Sequence, residues 1–68
     1  MKWTDIEDIA EMLEDKFPEQ DVLQIRFTDL YKWVLDLDEF SDQPERCNEQ
    51  VLEAVQSAWM EIRNEAIN

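Results

Sequence analysis

The residues that could do chemistry in this sequence are carboxylates, and they come in two groups. Asp36, Asp38, Glu39, Asp42 and Glu45 crowd into the stretch WVLDLDEFSDQPE, and Asp8, Glu11 and Asp15 recur near the start at i, i+3 and i+7, the spacing of one helix face. Such groups can work as general acid and base, hold a hard metal ion, or meet a basic partner. Acid–base work needs a cleft and two carboxyl groups whose pKa values are pushed apart. The sequence offers no histidine, and Ser41, Ser57 and Cys47 have no neighbouring base to activate them. It also has no glycine, which removes phosphate-cradling loops. The chain reads as a non-enzyme.

Metal binding is chemically better supplied, because oxygen-only ligands suit hard cations. Carboxylates on a single helix leave most of a coordination shell to water, so the expected binding of iron, Mn²⁺ or Ca²⁺ is weak and unselective, with no tightly bound cofactor. The run DLDEFSD lacks the glycine that bends a calcium-binding EF-hand loop and the glutamate at its twelfth position. Cys47 is the single cysteine; one thiol neither makes a disulfide nor holds an iron–sulfur cluster, and Glu45 and Glu49 oppose a reactive thiolate.

The charge balance speaks for the third possibility. Eighteen acidic and six basic residues give a formal charge of −12, which excludes nucleic acid and anionic membrane as direct ligands and favours a basic protein surface. Self-repulsion makes a monomer the expected state and salt a stabiliser. No apolar run approaches the ~20 residues of a membrane span, and acids stand where a signal peptide needs an apolar core. A cytoplasmic location is expected, in keeping with the lone cysteine.

Helices must position these groups, since 68 residues make one small domain, residues 1–68, with no disulfide or zinc to staple it. Ile6, Ile9, Ala10, Leu13 and Phe17 form the apolar stripe of a first helix, with Thr4 and Glu7 spaced as a capping box and Pro18 as its stop. VLQIRF, residues 22–27, is rich in β-branched residues and predicts a short extended or β piece. Thr28 is a candidate N-cap for a second helix with Asp29 in its first turn and Leu30, Trp33, Val34 and Leu37 on its stripe. A third helix starts near Cys47 or Asn48, buries Val51, Leu52, Val55, Ala58, Trp59 and Ile62, and runs towards Ala66. Trp3, Trp33 and Trp59 are expected as core anchors, Tyr31 and Lys32 as surface residues, and Arg26 in an ion pair.

These residues carry a resemblance that spans nearly the whole chain. KWTD, residues 2–5, IRFTDLYKWVLDLDEFSDQP, residues 25–44, and NEQVLEAV with Trp59 resemble the IscX family, small acidic proteins encoded with the bacterial iron–sulfur cluster assembly machinery. The resemblance implies a mainly α fold, a modified winged-helix-like domain of about three helices with a minimal β element. It implies an adaptor that docks on the cysteine desulfurase, regulates sulfur transfer and binds iron weakly, on a surface overlapping those of frataxin and ferredoxin. An iron donor or iron buffer is the alternative. Carried over residue by residue, Asp5, Asp8 and Glu11 become the expected iron contacts, and Asp36, Asp38, Glu39 and Asp42 the expected partner contacts. Cys47 stands where related chains tend to have Ser, Ser41 and Gln43 thin the acidic loop, and residues 60–68 run past the usual end.

Overall fold

Ile6–Lys16 forms α1 because its apolar residues fall on one side: Ile9, Ala10 and Leu13 are fully buried while Glu7, Asp8, Glu11 and Asp15 face water. The computed structural model describes residues 1–67; Asn68 lies outside the described residues. The capping box expected from Thr4 and Glu7 is not formed. The N-cap is Asp5, and its carboxylate turns back to accept the Lys2 N–H at 2.9 Å while its own N–H donates to the Lys2 carbonyl at 2.9 Å. The side chain closes the turn before the helix and is therefore not available to cap it. At the other end the Phe17 N–H donates to the Leu13 carbonyl at 2.8 Å, and Pro18 stops the helix as its position predicts.

The β piece expected at residues 22–27 is a 3₁₀ turn, Val22–Gln24, and there is no strand among the described residues. An extended segment with no partner strand leaves its backbone groups unpaired. The turn instead satisfies them locally: Asp21 accepts the Leu23 N–H through its carboxylate at 3.1 Å, and the Gln24 N–H through its carbonyl at 3.1 Å. Val22 still reaches the core, which is what its β-branched side chain reported in the sequence.

Phe27–Leu35 forms α2, whose N-cap is Arg26 and not Thr28; Thr28 lies exposed inside the first turn beside Asp29. Leu30 and Val34 are fully buried and Trp33 half-buried. Arg26 is exposed and makes no ion pair among the described residues, contrary to expectation, because no carboxylate is brought within reach. Glu49–Ile67 forms α3. Its N-cap is Asn48, one of the two residues expected there, whose Oδ1 accepts the Val51 N–H at 2.9 Å.

Most packing between elements joins α1 to α3, with α2 lying across both. Trp59 of α3 is completely buried between them and meets Trp33 edge-on at 6.4 Å, which in turn stacks at a tilt on Phe17 at 4.8 Å. Trp3, from before α1, is the third anchor. Its ring lies parallel to Tyr31 at 6.0 Å and edge-on to Phe40 at 4.6 Å, and its Nε1–H donates to the Gln43 carbonyl at 2.9 Å. Tyr31 is therefore half-buried by Trp3 and not a surface residue, whereas Lys32 is exposed as expected. The glycine-free sequence is accommodated without strain, since no described residue has a positive φ.

Candidate functional site

The expected site residues divide by what their carboxylates touch. Asp36, Asp38 and Glu39 are exposed at and just after the end of α2. Glu39 borders a shallow concavity of about 310 Å³ together with Asp8, Glu11 and Asp15 from α1, floored by Met1 and Met12. Through Glu39 the loop group thus meets the α1 group in space. Glu11 also borders a second concavity, about 230 Å³, in which Glu7 from α1 and Glu61 and Glu65 from α3 stand over Ala58 and Ile62. One acidic band therefore runs from the loop after α2, over the outside of α1, to the second half of α3. Glu61 and Glu65 were not picked out from sequence, although their i, i+4 spacing opposite an apolar stripe was a usable signal.

Asp42 and Asp5 behave differently. The Asp42 carboxylate accepts the Trp3 N–H at 3.1 Å and the Gln43 N–H at 2.8 Å, with Arg46 at 3.9 Å, and its side chain is only 9% exposed. These hydrogen bonds, from Gln43 first and Trp3 second, hold its pKa below the ordinary carboxylate value. Asp42 thus ties the loop to Trp3 and is the one loop carboxylate of the expected partner contacts that is largely covered. Replacing Asp42 by Asn is expected to lower the melting temperature, read by circular dichroism, while Asp38→Asn at an exposed position leaves it nearly unchanged. Asp5 is half-buried and bonded to Lys2.

The polar contact that sequence reading missed joins Glu14 to Arg63. The Trp59 Nε1–H and the Arg63 Nε–H donate to Glu14 Oε1 at 2.8 and 2.9 Å. Arg63 also donates to the carbonyls of Phe17, at 3.1 Å, and Gln20. The Arg63 bond, ahead of any other cause, holds the Glu14 carboxyl below its ordinary value. This clamp fixes the end of α1 and the following loop on α3, and so fixes the geometry of the acidic band.

Among the described residues no three carboxylate or thiol side chains converge closely enough to hold an ion, and one Asp5 carboxylate oxygen is taken up by the Lys2 N–H. Cys47 is half-buried, and desolvation pushes its thiol above the ordinary value, away from the reactive thiolate.

A family model described as iron-sulphur cluster assembly matches residues 1–64. The chain belongs to this family, the IscX family. An uncharacterized protein of Pseudomonas aeruginosa is 50% identical to it over 64 residues, 94% of this chain and 97% of the relative. The match runs through Asn64, so Met60 to Asn64, read from sequence as part of an extension beyond the family's usual end, lie within the family's extent. The IscX resemblance carried by KWTD, RFTD and the acidic loop is therefore a true membership. Among the described residues no helix is long and apolar enough to cross a membrane.

Proposed function

We propose that this IscX-family chain is an acidic adaptor of iron–sulfur cluster assembly that docks on the cysteine desulfurase and tunes sulfur transfer. The observation that carries the reading is the joining of the loop carboxylate Glu39 to the α1 carboxylates Asp8, Glu11 and Asp15 in one exposed band, with Asp36 and Asp38 exposed beside Glu39 in the sequence. Long-range attraction between such a band and a basic groove speeds encounter and fixes orientation. Nothing in the mechanism asks this chain for a catalytic group. It occupies a surface of the enzyme, and by occupying it slows delivery of sulfur or excludes competitors such as ferredoxin and frataxin.

Iron enters as a weakly held cation. Fe²⁺ drawn to the band neutralises part of its charge and so weakens the contact with the desulfurase. The chain acts in the cytoplasm as a monomer in this reading. The test is an NMR titration of the labelled chain with purified desulfurase at low and high salt, repeated with Fe²⁺ under anaerobic conditions. Broadening along α1 and at residues 36–39 that salt suppresses, together with a change in sulfide release at stoichiometric protein, is the expected result. No desulfurase response alongside tight, stoichiometric Fe²⁺ uptake overturns it in favour of an iron donor or buffer.

A further inference from the structure

Between the start of α1 and α3 the surface is not closed. A concavity of about 510 Å³ opens there, with Trp3, Ile6, Val51 and Ala54 as its apolar floor and Arg46 at its rim. The smaller concavity over Ala58 and Ile62, rimmed by Glu7, Glu11, Glu61 and Glu65, continues it. Ile6 and Glu7 are consecutive on α1, and Ala54 and Ala58 stand one turn apart on α3, so the two form one groove along the seam. Val51, Ala54, Ala58 and Ile62, at i, i+3, i+7 and i+11, make its α3 wall. This face is turned roughly 90° from the buried face of Leu52, Val55 and Trp59, and none of its four residues is fully buried. From residue 51 to residue 65 the groove runs about 21 Å.

The two ends of the groove differ in charge. Four glutamates surround one end. At the other, the charged residues of the lining are Asp42 and Arg46. The Asp42 side chain is 9% exposed and its two oxygens already accept the Trp3 and Gln43 N–H groups. The Arg46 side chain is 67% exposed, lies 3.9 Å from Asp42 and makes no hydrogen bond among the described residues. Glu49 and Glu53 fall at least about 100° round α3 from Ala54 and Ala58, and Glu45 does not line the groove. Arg46 is therefore the free charge of its end.

An occupant must bring cations to one end, an apolar stripe to the middle and a carboxylate to the other end. A second copy of the chain is opposed by a charge of −12 on each partner. An extended peptide draws its affinity from backbone bonds to a sheet edge, and the helix interiors that line this groove bond their backbones internally. A helix needs no such bonds, and alanines at 54 and 58 let it approach closely.

We infer that the groove between α1 and α3 receives a helix of the desulfurase, with Lys or Arg over Glu7, Glu11, Glu61 and Glu65, an apolar stripe on Ala54 and Ala58, and a carboxylate on Arg46. The inference rests on the reading that the desulfurase is the partner, and adds where the partner sits and which way round. It also reverses a prediction of net charge. If attraction of a −12 domain to a basic surface were the whole story, making the domain more acidic would strengthen binding.

Binding of the full chain to immobilised, purified desulfurase tests this, with folding of each variant verified by circular dichroism. Ala54→Trp fills the groove from an exposed position without changing the charge, and is expected to weaken binding at least about 10-fold. Arg46→Glu is expected to weaken it about 10-fold although the domain becomes more acidic, because like charges then meet. Photo-crosslinking from position 54, read by mass spectrometry, is expected to reach a desulfurase helix with Lys or Arg within about three turns. Unchanged binding by Ala54→Trp, tighter binding by Arg46→Glu, or a crosslink to a segment without such a cation overturns the groove while leaving the desulfurase reading intact. Absence of binding by the unaltered chain overturns both. Self-association of the unaltered chain that Ala54→Trp abolishes, seen by sedimentation, overturns the inference in favour of a second copy as occupant.

Discussion

Replacing Arg63 by Ala is expected to destabilise the fold by about 2–3 kcal/mol and lower the melting temperature by about 10–20 °C. The guanidinium serves acceptors from three places in the chain at once: the Glu14 carboxylate, and the carbonyls of Phe17 and Gln20. Its removal leaves a carboxylate that is 18% exposed beside the buried Trp59 ring with the indole N–H as its remaining donor. Losing one partner of a largely covered pair costs more than the pair contributes relative to apolar replacements, because the survivor stays desolvated. Arg63→Lys is expected to restore part of the loss, since an ammonium can reach Glu14 but cannot span the same fork of acceptors.

The pH dependence of the clamp has a definite sign. The folded pKa of Glu14 lies below its ordinary value of 4.5, so the folded state takes up this proton less readily than the unfolded chain. The stabilisation is complete above about pH 4.5 and is lost as pH falls through the depressed folded value. Protonation of the exposed acids acts in the opposite direction by relieving repulsion. Urea unfolding of the unaltered chain and of Glu14→Gln, compared from pH 7 to pH 3, separates the two. The difference between them is expected to stay constant down to about pH 4.5 and shrink below it.

The three helices were legible because their signal is periodic, and burial follows the period: Ile9, Leu13, Leu30, Val34, Leu52, Val55 and Trp59 are all in the core. Errors fell where short-range choices are decided by distant partners. Val22 looked like the start of a strand because a β-branched residue signals burial as readily as extension, and no second strand exists among the described residues to accept one. Thr4 and Thr28 carried cap chemistry, but the helices begin where the Trp3 anchor and the Val22–Gln24 turn deliver the chain, one residue after Thr4's neighbour Asp5 and one before Thr28. The site was legible as composition and not as geometry. Asp38, Glu39 and Asp42 are near neighbours in sequence, yet two face water and the third is bonded into the Trp3 anchor. Glu14 was indistinguishable from the other acids of α1 until Arg63, 49 residues away, was brought beside it.

Neutralising Glu11, Glu61 and Glu65 together is expected to raise stability and impair docking in the same molecule. Glu11 repels Glu7 and Asp15, each four residues away on α1, and Glu61 and Glu65 repel each other on α3. Each such pair costs a few tenths of a kcal/mol, and the two helices face their acids across the groove over Ala58 and Ile62. Changing all three to Gln should stabilise the fold by about 1 kcal/mol, a rise of about 4–8 °C in melting temperature, while Glu7 remains to favour the start of α1. The gain should fade in 0.5 M salt, where the repulsion is already screened. Under the proposed docking on the desulfurase the same three charges would speed encounter with a basic groove, so the association rate at low salt should fall about 10-fold. An acidic docking surface accounts for repulsion that lowers stability, and a triple variant that binds as fast as the unaltered chain would remove that explanation.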